Sequence, residues 1–252
     1  MKIAVITGAS SGLGKDFSVC VDKMYPEIEE IWLVARREEK LKETAKELTK
    51  KVRIVPIDIT DENAVNSYIE LLKSEKAEVK LLINNAGFGK LGYFYELSKE
   101  DNCGMVRLNC EALVGFTSAT LPFMPKNSEI VNSCSIASFA PNIRMAVYSS
   151  TKAFVMSFSR ALRIELKPKK INVLAACPGP MDTEFLALAG IGKGDSHTFD
   201  TLPRVNPKVM AEKSLKASKH KKAVYTNRLF YKFYRILAKV LPHSIVMTLA
   251  KT

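Results

Sequence analysis

Along the first 180 positions, apolar residues alternate between two patterns. Short aliphatic and β-branched runs occur at 3–6 (Ile-Ala-Val-Ile), 31–34 (Ile-Trp-Leu-Val), 52–57, 79–83 (Val-Lys-Leu-Leu-Ile), 129–132 and 171–175. Apolar residues at consecutive positions predict parallel strands buried on both faces. Between the runs, helical spacing extends over 14–24, 38–50, 61–74, 98–121 and 147–166. Thr60-Asp61-Glu62 offers a capping start for the third of these. Strands alternating with helices of this length predict βαβ units. The expected class is α/β, a Rossmann-like doubly wound parallel sheet with helices on both faces.

Past residue 180 the pattern loosens. Gly190, Gly192, Gly194, Pro203 and Pro207 interrupt 180–207, just after an apolar cluster of Met181, Phe185, Leu186 and Leu188. A loop this long in a compact domain is usually functional, so 180–207 is expected to be a substrate loop. Beyond it, 207–218 reads as a helix and 223–225 as a last short strand. Residues 227–250 form a basic amphipathic segment, with Pro242 expected to break it. The expected organisation is a domain over 1–226 and a C-terminal extension over 227–252. A length of 252 residues with 47% apolar content suits a single core of good size.

Composition narrows the setting. There is no apolar run of about 18 residues, so no membrane-spanning helix is expected. The first apolar run stops at Thr7-Gly8, too short for the core of a signal peptide. Five scattered cysteines without a CxxC pair suggest reduced thiols and a cytoplasmic protein. His197, His220 and His243 lie outside the polar motifs described below, so no metal site or catalytic triad is expected.

Charge changes the picture of the tail. Net charge is +12, yet Pro207 to Thr252 holds eleven Lys/Arg against the single acid Glu212, a local +10 that leaves +2 for the rest. Arg228, Lys232, Arg235 and Lys239 interleave with Leu229, Phe230, Phe233, Ile236, Leu237, Val240 and Leu241 at helical spacing. Two readings stand: a helix docked on the domain with its charges solvated, or an element that contacts an anionic membrane surface or covers an apolar pocket. No nucleic-acid motif accompanies the charge, and no nucleic-acid partner is expected.

Candidate chemistry begins at Thr7-Gly8-Ala9-Ser10-Ser11-Gly12-Leu13-Gly14, between the first strand and a helix. Glycines allow close approach to a diphosphate, and a helix N-terminus supplies free N–H groups. After the second strand stand Ala35, Arg36 and Arg37, with no acid to take a ribose 2′-hydroxyl. A guanidinium there suits a 2′-phosphate, which points to NADP(H), with Arg36 as the ligand and Arg37 as a solvated charge at the helix start. Asp58 closes the third strand and can accept from an adenine amino group. Tyr148 and Lys152, four apart in Tyr-Ser-Ser-Thr-Lys, share a helix face. A cation beside a phenol favours the phenolate, giving an acid/base for an alcohol–ketone pair. Ser135 lies thirteen residues upstream. Asn84-Asn85-Ala86-Gly87 follows the fourth strand, Asn109 sits within a helix, and Pro178-Gly179-Pro180-Met181-Asp182-Thr183 follows the sixth. Cys134 reads as a packed thiol rather than a nucleophile.

In this order and spacing, TGASSGLG, NNAG, Ser135, YSSTK and PGPMDT resemble the short-chain dehydrogenase/reductase family, in its single-domain branch of about 250 residues, over residues 1–185. The resemblance implies that Tyr148 is the acid/base, that Lys152 binds the nicotinamide ribose and lowers the tyrosine pKa, that Ser135 orients the carbonyl, and that Asn109 holds a relay water. It also implies that Gly8, Ser10, Ser11, Gly12, Leu13 and Gly14 line the diphosphate and ribose. Asp58 would contact adenine; Asn85, Ala86 and Gly87 the adenosine side; Pro178, Gly179 and Thr183 the nicotinamide end. Members often carry Ser-Ser where this chain has Cys134-Ser135. The expected activity is NADP(H)-dependent interconversion of a ketone and a secondary alcohol by direct hydride transfer, with a bulky apolar substrate, steroid-like or 3-oxoacyl-like. Met181, Phe185, Leu186, Leu188, Phe139, Ile143 and Met145 are the expected pocket, and a homo-oligomer is the expected assembly. The alternatives are a non-catalytic NADP-binding regulator and a membrane-surface protein acting through the tail.

Overall fold

A computed structural model describes residues 1–192, 194 and 196–249. Lys193 and Asp195 of the expected substrate loop, and 250–252 of the tail, lie outside the described residues. Seven strands, β1 (Lys2–Thr7), β2 (Glu30–Val34), β3 (Lys51–Val55), β4 (Glu78–Asn84), β5 (Glu129–Ser133), β6 (Asn172–Cys177) and β7 (Val224–Thr226), form one sheet. Its order is β3-β2-β1-β4-β5-β6-β7, and every pair is parallel. The order in which successive strands are added reverses between β1 and β4, which places a ligand crevice at their carboxyl ends.

The helices are α1 (Gly12–Met24), α2 (Glu38–Ala45), α3 (Glu62–Ser74), α4 (Lys99–Val106), α5 (Leu113–Thr120), α6 (Ala146–Glu165), α7 (Glu184–Leu188), α8 (His197–Thr201), α9 (Pro207–Lys219), α10 (Leu229–Val240) and α11 (His243–Leu249). Burial on both sides explains the unbroken apolar runs. In β1, Ala4 and Ile6 pack with Phe17 of α1, Leu41 of α2 and Met210 of α9. Ile3 and Val5 point the other way, to Tyr68 of α3, Phe116 of α5 and Leu162 of α6.

Three departures from expectation bear on the site and its supports. Helix α2 stops at Ala45 rather than 50, because the Asp22 carboxylate accepts from the backbone N–H of Thr49 (3.1 Å) and Lys50 (2.8 Å) and draws the chain away. Asp61, not Thr60, caps α3, accepting from Asn63 N at 2.9 Å. Thr60 is held instead by Asp58, whose Oδ1 accepts from its N–H (2.9 Å) and hydroxyl (2.7 Å). The expected helix 98–121 is interrupted by a π-helical turn over Arg107–Ala112.

The C-terminal helices break at Pro242 and dock on the domain. Tyr231 of α10 is fully buried, and its hydroxyl donates to Pro203 O at 2.8 Å. Its ring lies so close to Gly179 that any side chain there would collide with it. Ala238 and Val246 pack with Ala140. Among the described residues no helix is long and apolar enough to cross a membrane.

Candidate active site

A cavity of about 970 Å³ opens along the carboxyl ends of the strands. At its floor, Gly8 adopts φ +66°, and a Cβ there would sit 2.9 Å from Ala86 Cα, so the turn needs glycine. Thr7 Oγ1 accepts from the N–H groups of Asn85 and Ala86, both at 3.0 Å, and fixes the end of β1 to the end of β4. Ser11 is the N-cap of α1, yet its side chain makes no capping bond and the first turn holds no acid. Ser10, Ser11, Gly12 and Leu13 line the cavity at this point, so the positive end of α1 is available to an anion. A diphosphate fits this cradle.

At the β2 end, the two arginines differ from expectation. Arg37, expected as a solvated helix-start charge, is half exposed but is also held by partners. Its Nη2 donates to Ser10 Oγ (3.2 Å) and Ser11 Oγ (3.0 Å) and pairs with Glu184 (2.8 Å), which holds the guanidinium over the turn. That pairing keeps the Glu184 carboxyl below its ordinary range. Arg36 also lines the cavity, but its side chain is 75% exposed and lies 3.8 Å from Asp58. Two guanidiniums therefore flank this end, where the sequence reading favoured one. The signal for Arg37 was present in the sequence as two adjacent serines, without a spacing rule to link them.

Further along the same cofactor cradle, Tyr148 sits in the first turn of α6 and Lys152 one turn later. Ser135 lies just past β5 and opens a 3-10 turn over Ile136–Ser138. All three are buried. Ser135 Oγ accepts from Ala137 N at 3.1 Å, leaving its O–H to donate. Lys152 Nζ donates to Ser133 O at 2.9 Å and lies 5.8 Å from the centre of the Tyr148 ring. Burial pushes the Tyr148 phenol above its ordinary value, while a hydrogen bond from Ser135 acts in the opposite direction. Burial pulls the Lys152 ammonium below its own. The expected lowering of the phenol by Lys152 is not seen: its ammonium is turned to the Ser133 carbonyl, and burial dominates.

Asn109 falls in the π-helical turn, a frequent mark of functional positions. Its Oδ1 accepts from Phe88 N (3.0 Å), and its Nδ2 donates to Phe88 O (2.8 Å) and Thr151 Oγ1 (3.0 Å). The side chain thus ties the segment after β4 to α6. Asn109 and Gly14 do not line the cavity; Gly14 packs beneath the turn, against Gly8 O. The other expected residues, Asp58, Asn85, Ala86, Gly87, Pro178, Gly179 and Thr183 among them, all do. Cys134 is a packed thiol whose Sγ lies 3.1 Å from Lys152 O.

Of the expected apolar pocket, Met145, Met181, Phe185, Leu186 and Leu188 line the cavity. Phe139 does not, because its ring packs on Tyr234 at 5.9 Å, and Ile143 is also outside it. In their place stand Phe88, Phe199 and, from α10, Phe230, Phe233 and Leu237. Helical spacing put these last three on an apolar face, but no local pattern says what that face covers.

A sequence profile described as short chain dehydrogenase matches residues 2–191. Sulfoacetaldehyde reductase 2 of Chromohalobacter salexigens is 35% identical over 216 residues, covering 83% of this chain and 84% of that protein. An NADP-dependent 3-hydroxy acid dehydrogenase of Schizosaccharomyces pombe is 36% identical over 192 residues, 73% of each chain. Among solved structures, a short-chain dehydrogenase from Sphingobium yanoikuyae in complex with NADPH superposes with a TM-score of 0.78 at 27% identity, covering 96% of this chain and 97% of the other. The parallel sheet, the glycine turn and the profile match agree: the chain belongs to the short-chain dehydrogenase family.

Proposed function

We propose that the protein is an NADP(H)-dependent oxidoreductase that interconverts a bulky apolar ketone and its secondary alcohol. The observation that carries this reading is the convergence of Ser135, Tyr148 and Lys152, all buried, on the cavity whose far end holds Arg36 and Arg37. The diphosphate would rest on Ser10 to Leu13 at the start of α1, and the 2′-phosphate between the two guanidiniums. When bound, the nicotinamide supplies or accepts the hydride.

The chain's own residues handle the proton. With its pKa raised by burial, Tyr148 is held as the phenol at neutral pH, the form that donates to a carbonyl oxygen as that oxygen gains charge. The Ser135 O–H donates to the same oxygen and stabilises charge where it develops. Lys152 contributes a cation beside the phenol and would also hold the nicotinamide ribose. Asn109 keeps Phe88 and Thr151 in register behind them.

Substrate class follows from the other wall. Apart from Glu184, which turns to Arg37, α7 contributes Phe185, Leu186 and Leu188, and α10 adds Phe230, Phe233 and Leu237. The two relatives above are named for smaller, polar substrates, and this lining supports a larger and more apolar one here. The test is a panel of ketones graded in size and polarity, followed by NADPH absorbance. Turnover that rises with apolar bulk and prefers NADPH over NADH is expected. No turnover across the panel, or a preference for small anionic carbonyls, would overturn the reading.

A further inference from the structure

Helix α10 has a third face that the core does not use and of which only Phe233 reaches the cavity. Leu229, Ile236 and Val240 are 81%, 60% and 74% exposed, and Phe233 is 60% exposed on the same line. Spaced at i, i+4, i+7 and i+11, they form one stripe along the helix. Lys232, Arg235 and Lys239 run beside it as a second, exposed stripe, and no carboxylate of the described residues forms an ion pair with them. The helix is also anchored from behind by buried Tyr231 and Ala238, so this outer surface is held in place rather than free to fold inwards.

The stripe joins the cavity. Phe230 and Phe233 line it while remaining 53% and 60% exposed, so they form its rim on the α10 side. Apolar surface therefore runs without interruption from the outside of α10 to the substrate end of the site. We propose that α10 seats the protein on the surface of an anionic lipid bilayer, with the cavity rim at the membrane so that an apolar substrate passes in from the lipid. The route for substrate, and the argument from access to the rim, rest on the function proposed above; the seating argued from the apolar stripe and the cations does not.

Two observations select a bilayer over a second copy of the chain. Pairing two α10 stripes would bring together two rows of Lys232, Arg235 and Lys239, which repel. It would also cover the rim that a substrate must cross. An anionic surface instead neutralises the cations and takes up the apolar stripe, the arrangement of a helix lying in the interface plane. With no spanning helix among the described residues, attachment is peripheral and reversible.

The test is sedimentation of the full chain with vesicles of phosphatidylcholine alone or containing about 30 mol% phosphatidylglycerol. It needs no turnover, so its outcome is separate from that of the activity assay. Binding is expected to the anionic vesicles and to fall steeply as salt rises from about 0.05 to 0.5 M. Lys232→Gln/Lys239→Gln should weaken it roughly thirtyfold, given the worth of each cation near an anionic leaflet. Ile236→Glu/Val240→Glu, on positions that do not line the cavity, should abolish it while thermal stability and NADPH affinity hold. Absence of binding to anionic vesicles overturns the proposal. So does binding that the glutamate variant leaves unchanged, or a fall in solution mass of that variant, which would make the stripe an interface between copies.

Discussion

The two ends of the cavity are built on different principles. At the catalytic and cofactor end, side chains are held by hydrogen bonds to backbone: Thr7 to Asn85 and Ala86, Lys152 to Ser133, Asn109 to both polar groups of Phe88. At the substrate end, α7 and α10 offer rings and aliphatic chains held only by contact, several of them half exposed. Directional bonds fix atoms to within tenths of an ångström, as proton transfer demands. Apolar contact fixes volume and tolerates change of shape. Damage at the first end should therefore remove the reaction, while damage at the second should redirect it.

Tyr148→Phe is the sharpest way to break the first end. It deletes the proton donor without opening a void, and kcat should fall about a thousandfold. NADPH affinity, measured by fluorescence titration, should stay within about twofold, because no hydrogen bond to the diphosphate cradle is lost. Retention of more than a few per cent of kcat would show that another group delivers the proton.

The arginines test the adenosine side of that same end. Arg37→Ala should weaken NADPH binding about tenfold to a hundredfold, the worth of a charge-assisted phosphate pair, and leave NADH nearly unchanged. Arg36→Ala should cost less, since its guanidinium is mostly solvated and already faces Asp58. Equal losses for both nucleotides in Arg37→Ala would make its bonds to Ser10 and Ser11 purely structural.

This contrast also explains what could be read from the sequence. Gly8, Ser135, Tyr148 and Lys152 follow strand ends or share one helix turn, so local spacing marks their positions, while their roles are what the family resemblance implies. Most of the principal strands were legible because burial on both faces leaves a nearly unbroken apolar run; β3, an edge strand with only Val55 buried, was legible by its β-branched residues. Less was legible wherever a partner lies far along the chain. Glu184 reaches Arg37 across 147 positions, and nothing local to either residue signals it. Asp22 ends α2 from 27 residues away. The assignment of Phe139 to the pocket failed for the same reason, since its partner Tyr234 comes from the C-terminal helix. The face of α10 was visible as a pattern, but its division among core, cavity rim and solvent depends on the docking of Tyr231.

At the substrate end, Leu237→Ala should act on binding rather than chemistry. Removing part of an apolar wall costs about threefold to tenfold in KM for a bulky ketone. A small ketone that does not reach α10 should be unaffected, and kcat should hold for both. A fall in kcat with unchanged KM would show that α10 positions the reacting end, and would dissolve the contrast.

The smallest expected effect tests the cost of building the first end so rigidly. Lys152 is buried with its pKa pulled below the ordinary 10.5 by desolvation, so the folded state disfavours its charge. Between the lowered folded value and 10.5 the unfolded chain binds more protons than the folded one, and stability attributable to this group rises with pH. Below that window the group carries its full penalty. Lys152→Met removes the charge and the penalty together, while leaving Ser133 O without its ammonium donor. The Ser133 carbonyl does not titrate, but the Lys152 charge acts on the Cys110 and Cys134 thiols, so both proteins are compared in a Cys110→Ala/Cys134→Ala background. The thermal midpoint of the variant minus that of its Lys152 parent should therefore be highest near neutral pH and should shrink as pH rises towards 10.5. Melting curves of the two proteins at a series of pH values measure this difference directly. A difference that stays flat or grows with pH would mean that the Lys152 ammonium is stabilised where it lies, and that the catalytic end gains from its buried cation.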